Sequence, residues 1–213
     1  MGESSCYANL LTLKPVVPRS EAAFRHDELA HPAAAESTHR ARFSVQQFHR
    51  LCDAVPERRL ELIGGEVLDV IAKGTRHSVL VNRLTRLITL WLEQQTACSW
   101  ELRVESPLRL GESDEPEPDL VLVRQRADGY LEAHPGAADA VLVIEVTDSS
   151  LRFDLDTKAR LYAEAGITWY WVVDGSQPRL IEVAQGQADA PLLESLQREV
   201  ETLLALIPAA ASA

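Results

Sequence analysis

VLVIEVTDSS, residues 141–150, places a glutamate inside a run that otherwise reads as a buried β-strand. Side chains alternate along a strand, so Val141, Val143 and Glu145 share one face and Leu142, Ile144 and Val146 share the other. Apolar residues on both faces mark a central strand covered on both sides. A carboxylate placed in such a layer loses several kcal/mol of solvation, or takes up a proton, unless a partner compensates it. Glu145 therefore needs a partner, and the flanking sequence is where to look for one.

Downstream, DLDTKARLYAEAG (residues 154–166) predicts a helix capped by Asp154 and stopped by Gly166. Leu155, Ala159 and Tyr162 define its core stripe, and Lys158 lies on the edge of that stripe, where an ammonium can reach inward. TWYWVVD and RLIEV read as further strands, and LLESLQREVETLLALI as a closing helix. Upstream, PEPDLVLVR repeats the anomaly: Asp119 directly precedes an apolar strand and falls on the face of Val121 and Val123. SWELRVES and PLRL are also strand-like. From Arg76 to Gln95, apolar residues at Leu80, Leu84, Leu87, Ile88, Trp91 and Leu92 recur at helical spacing, with Arg76, Arg83 and Arg86 on the other side. LELIGGEVLDVIA predicts a hairpin turning at Gly64 and Gly65, and FSVQQFHRLCDAV a short helix capped by Ser44. Strands interleaved with two principal helices give an α/β (α+β) class with a mixed central sheet flanked by helices.

The chain has 213 residues, enough for one domain with tails. Residues 1–40 are rich in Ala, Pro, Glu, Ser and His and are expected to be a disordered leader. Residues 41–190 are expected to form the domain, and 191–213 a C-terminal helix or tail. No signal-peptide pattern or bilayer-length apolar run is present, and Cys6, Cys52 and Cys98 are in no metal or disulfide spacing, so a cytoplasmic protein is expected. The net charge is −11, and the acid excess lies after residue 110. That balance disfavours broad phosphate binding unless metal ions offset the acids locally.

Two strands of one sheet could bring Asp119 and Glu145 together. Carboxylates a few Å apart repel unless they are protonated or bridged by a cation, and a hard divalent ion such as Mg²⁺ takes one or two carboxylates plus waters and phosphate oxygens. Lys158 then has two readings: an ammonium that orients an attacking water or stabilises charge on a phosphate, or an i, i+4 surface pair with Asp154. The arginines of the long helix suit a phosphate-facing stripe or, more ordinarily, a solvated face.

The run PEPDLVLV, then VLVIEV, then KARLYAEAGITWYWVVD resembles the Uma family of restriction-endonuclease-like proteins, a branch of the PD-(D/E)xK nucleases. The likeness extends from about Leu60 to about Val183 and includes LELIGGEV and His77. The resemblance implies a restriction-endonuclease-like core and a metal-dependent endonuclease acting on DNA, with Asp119 and Glu145 as ligands of Mg²⁺ or Mn²⁺. The usual nuclease pattern has a lysine two residues after the glutamate, where this chain has Thr147; Lys158 matches the place of a lysine displaced to the following helix. Glu66 matches an early acidic position, as a further ligand or a support, and His77 is a second support. Asp148 stands where the family more often has a Ser-Pro-Ser-like turn, which leaves its role open. A duplex has two strands to cut, so a homodimer is one arrangement that would serve. The competing expectation is a non-catalytic module for nucleic-acid or protein interaction that retains the fold.

Overall fold

The computed structural model describes residues 41–70, 73–96 and 98–210; the expected leader, with Cys6, lies outside them. The chain order is α1 (Val45–Ala54), β1 (Leu60–Ile63), β2 (Glu66–Asp69), α2 (Thr75–Gln94), β3 (Trp100–Val104), β4 (Leu120–Arg124), β5 (Ala140–Thr147), α3 (Leu151–Phe153), α4 (Ala159–Glu164), β6 (Tyr170–Asp174), β7 (Arg179–Ala184) and α5 (Ala190–Ala205). Ser44 caps α1 in a full capping box with Gln47, as its sequence predicts. Gly64 and Gly65 both have positive φ, +59° and +75°, which is what a two-residue hairpin turn with primed twist requires.

Five strands form one sheet in the order β3-β4-β5-β6-β7. Only β5 and β6 run parallel, and parallel neighbours need a crossover, here the helical segment between them. The β1–β2 hairpin is a separate two-stranded sheet, joined to the loop before β4 by the Leu62–Glu115 bridge. One face of the large sheet packs Leu120, Leu122, Leu142, Ile144 and Trp171 against α2 and α5 through Leu80, Leu84, Ile88, Leu193, Leu196 and Val200. The opposite face packs Val121, Val123, Val143, Tyr170 and Val172 against Leu108, Tyr130 and Tyr162. The C-terminal helix α5 is thus part of the core. The apolar face of α1 packs on β1 through Val45, Phe48 and Leu62.

Three local expectations are corrected. Val141 packs with Leu142 on the α2 face and not with Val143, because the pairing register of β4 and β5 shifts between Leu122 and Val123. PLRL makes no strand, only an isolated bridge at Arg109. The helix before β6 starts at Leu151, not after an Asp154 cap, and between α3 and α4 it passes through a π-helical stretch, Asp154–Lys158. There the Ala159 N–H bonds to the Asp154 carbonyl, five residues back. The wider turn rotates the inward face: Asp154, Lys158 and Tyr162 are buried, whereas Leu155 is 37% exposed. Among the described residues, no helix is long and apolar enough to cross a membrane.

Candidate metal centre

The register that pairs Leu120 with Ile144 carries one step further to set Asp119 beside Glu145, at the end of adjacent strands. The Val146 N–H donates to Asp119 Oδ2 at 2.7 Å, which ties the first carboxylate to the strand that carries the second. Both residues are only 2% exposed. Both line one cleft of about 690 Å³, together with Glu61, Lys73, His77, Asp148, Phe153, Asp154 and Lys158.

The two carboxylates have different company. His77, near the start of α2, stands with Nε2 3.1 Å from Asp119 Oδ2, and Lys73 Nζ pairs with Asp119 Oδ1. Burial works against ionisation of Asp119, but the His77 hydrogen bond and the Lys73 ammonium win and hold its carboxyl below the usual aspartate range. Glu145 Oε1 accepts from Lys158 Nζ at 2.9 Å and from the Tyr162 hydroxyl at 2.7 Å. Burial, reinforced by the charges of Asp119, Asp154 and Glu61, pushes the Glu145 carboxyl up to about 8 against the pull of Lys158.

For Lys158, burial favours loss of the proton, but Glu145, Glu61 and Asp154 outweigh it and raise its pKa, so the ammonium is the fixed charge of the group. Glu61 Oε2 lies 3.5 Å from Lys158 Nζ, and burial raises Glu61 as well. Lys158 is 6% exposed and held inward by Glu145, so the surface pair with Asp154 is not what forms. Thr147 fills the place of the usual lysine with a structural hydroxyl: its Oγ1 accepts from the Ser150 N–H at 3.0 Å and shapes the turn into α3.

The structure therefore joins Asp119 to His77 and Glu145 to Lys158, and gathers all four in one cleft. Glu66 is not brought in: it is exposed at the turn end of β2, opposite Ile63 and outside the cleft lining. The acids that β1–β2 delivers to the cleft are Asp69 and the buried Glu61, the second of which alternation between Leu60 and Leu62 could have flagged. Asp148 lines the cleft with Oδ2 facing Gly74, at the start of the 20-residue α2, where a helix favours negative charge. Arg76 donates to the carbonyls of Gly175 and Pro208, so it clasps the C-terminal segment and is not part of a phosphate-facing stripe with Arg83 and Arg86.

Sequence reading also missed Glu105 and Lys73. His77, Glu105 and Asp119 each offer one ligand atom, and these atoms lie within 4.8 Å of one another, the group among the described residues able to hold a metal ion. Two carboxylates and an imidazole suit a small divalent cation, Mn²⁺ better than Mg²⁺ where the imidazole takes part. A positive charge already stands there: Lys73 Nζ pairs with Asp119 and lies 3.5 Å from Glu105 Oε1. The donor set fits a cation.

Residues 45–211 match the model of the Uma2 family, described as "Putative restriction endonuclease". Among solved structures, the chain is similar to one described as "a putative nuclease belonging to DUF820", from Anabaena variabilis ATCC 29413. The identity is 15% and the TM-score 0.55, over 76% of this chain and 99% of that one. At that identity the likeness shows the fold. No curated protein matches the sequence.

Proposed function

This chain belongs to the Uma2 family, and on that premise we propose that it is a metal-dependent endonuclease that hydrolyses DNA phosphodiester bonds. The observation that carries the reading is the pairing of Asp119 and Glu145 at one strand end, in a cleft that also holds His77 and Lys158. Asp119 would hold Mg²⁺ or Mn²⁺ with Glu145 from the next strand, and His77 and Glu105 are within reach of the same point as Asp119. The ion would supply an activated water and neutralise charge on the phosphate. His77 orients the Asp119 carboxylate. Lys158 presents a fixed ammonium between Glu145 and Glu61, where it can position the water or stabilise negative charge as the phosphoester bond breaks. Tyr162 holds Glu145 in place from the core side. The cleft lining carries Glu61, Asp69, Asp119, Glu145, Asp148 and Asp154 against Lys73 and Lys158, so a phosphate enters favourably only once cations have reduced that negative charge.

The test is cleavage of plasmid and end-labelled linear DNA with Mg²⁺ or Mn²⁺ by the native chain beside Asp119→Asn and Glu145→Gln. Each substitution is expected to lower the rate at least about 100-fold, the scale lost when a group stabilising developing charge is removed. Equal cleavage by all three would overturn the assignment. A folded native chain that binds no divalent metal in calorimetry would favour the non-catalytic module.

A further inference from the structure

We propose that Lys73 is a built-in counter-cation: in the metal-free chain its ammonium holds the place of the divalent ion, which must displace it to bind. The inference rests on the metal reading above and concerns what that metal has to overcome. Lys73 Nζ pairs with Asp119 Oδ1 and stands 3.5 Å from Glu105 Oε1, so it touches two of the three donors that converge within 4.8 Å. A divalent ion needs the same lone pairs, and two cations sharing them repel. On Asp119 the ammonium and the ion therefore compete.

The two lysines of the cleft are built for different behaviour. Lys158 is 6% exposed and fixed between Glu145 and Glu61. The Lys73 side chain is 21% exposed, comes from the connection between β2 and α2, and also lines a neighbouring cavity of about 560 Å³. That cavity is also lined by Glu57, by Glu105 and by Asp69, which is paired with Arg58. A lysine stem has the rotamer freedom to swing away from Asp119. The metal-free chain thus keeps Asp119 ionised and paired, which protects a buried carboxylate from standing alone. The consequence is weaker metal binding, because apparent affinity falls with the fraction of molecules whose site is open.

The experiment titrates metal-free protein with Mn²⁺ alone, by calorimetry and by the loss of the free-ion electron paramagnetic resonance signal. It compares the native chain, Lys73→Met, Lys73→Gln, Arg59→Met and Asp119→Asn. Arg59 is the control for a cation that reaches Glu105 but not Asp119: its guanidinium lies 3.3 Å from Glu105 and is otherwise paired with Glu117. Lys73→Met, or Lys73→Gln should the first not fold, is expected to tighten Mn²⁺ binding about 10-fold or more. Arg59→Met should change it less than about 3-fold, and Asp119→Asn should abolish binding. Without metal, the Lys73 variants should melt below the native chain and gain more in Tm on adding Mn²⁺. Unchanged or weaker binding by the Lys73 variants, with the native chain binding normally, overturns the displacement and leaves the metal reading standing. Equal tightening by Arg59→Met also overturns it, reducing Lys73 to one positive charge among several. Failure of both the native chain and the Lys73 variants to bind Mn²⁺ overturns the metal reading and this inference together.

Discussion

The Asp119 half of the cleft and the Glu145 half stand on neighbouring strands, one register step past the Leu120–Ile144 pair. Directly before β4, the carboxylate meets groups that reach in from the rim: Lys73 from a connection, and His77 from the start of a helix. On β5, it meets groups rooted in the core: Lys158 from the π-helical stretch, and Tyr162 from α4, which packs with Val143 and Tyr170. Their acidities diverge accordingly. His77 and Lys73 overcome burial at Asp119 and keep it ionised, whereas burial dominates at Glu145 and pushes it up to about 8. One half can exchange its cation, and the other is a fixed frame.

The strongest way to break this contrast is to remove the core-rooted cation. Lys158→Met leaves Glu145, in a site 2% exposed, with the Tyr162 hydroxyl as its one bonded side chain among the described residues. Breaking a buried pair by deleting one member costs about 3–5 kcal/mol. Urea unfolding above about pH 8, where Glu145 ionises in the native chain, should show that loss, and the double variant with Glu145→Gln should recover part of it, because Glu145 is then neutral while Glu61 still lacks its ammonium. If Lys158→Met unfolds at the native midpoint, the Glu145 half is not a rigid frame and the contrast fails. A smaller effect of the same kind is expected from Tyr162→Phe, which deletes the 2.7 Å bond to Glu145 Oε1 and little volume. About 2 kcal/mol should be lost above about pH 8, where the Glu145 carboxyl is ionised, the scale of a hydrogen bond to a charged acceptor. No loss would place the whole frame on Lys158.

The Glu145 half was the more legible of the two in the sequence. A glutamate within VLVIEV, and a lysine at the edge of an amphipathic helix thirteen residues on, are patterns of alternation and periodicity, which local sequence carries well. Even there, the helical stripe was misplaced around Leu155, because the π-turn that exposes Leu155 has no marker in spacing rules based on 3.6 residues. The sheet, the hairpin and both long helices were legible because their burial is periodic. Of the Asp119 half, Asp119 and His77 were named and their companions were not. Lys73, Glu105 and Asp119 lie in three different parts of the chain, and Lys73 and Glu105 fall outside apolar patterns, in a connection and just past a strand end. Glu61 and Glu66 sit on one hairpin. Which of them enters the cleft depends on how that hairpin docks, and docking is a long-range property.

A third acid on the same sheet sharpens what makes the other two functional candidates. Asp174 ends β6, paired in register with Thr147, and is also 2% exposed. It does not line the cleft: Oδ1 accepts from the Ser176 N–H, the Ser176 hydroxyl and the Gln177 N–H, and Oδ2 accepts from Arg179. Burial would raise its pKa, but the Ser176, Gln177 and Arg179 donors prevail and lower it. Every acceptor direction is spent on closing the β6–β7 turn, so this carboxylate is structural. Its lowered pKa means that the ionised form is favoured by folding. The stabilisation it contributes is complete above the ordinary aspartate range near about 4, and is lost as pH falls through its depressed value. Asp174→Asn should therefore cost about 1 kcal/mol at neutral pH, less than either core substitution. The stability gap to the native chain, followed by urea unfolding from neutral to acid pH, should close below about pH 4. DNA cleavage and Mn²⁺ affinity should stay at native levels. A change in metal binding would mean that Asp174 is coupled to the cleft, and that burial at a strand end does not by itself separate a structural acid from a ligand.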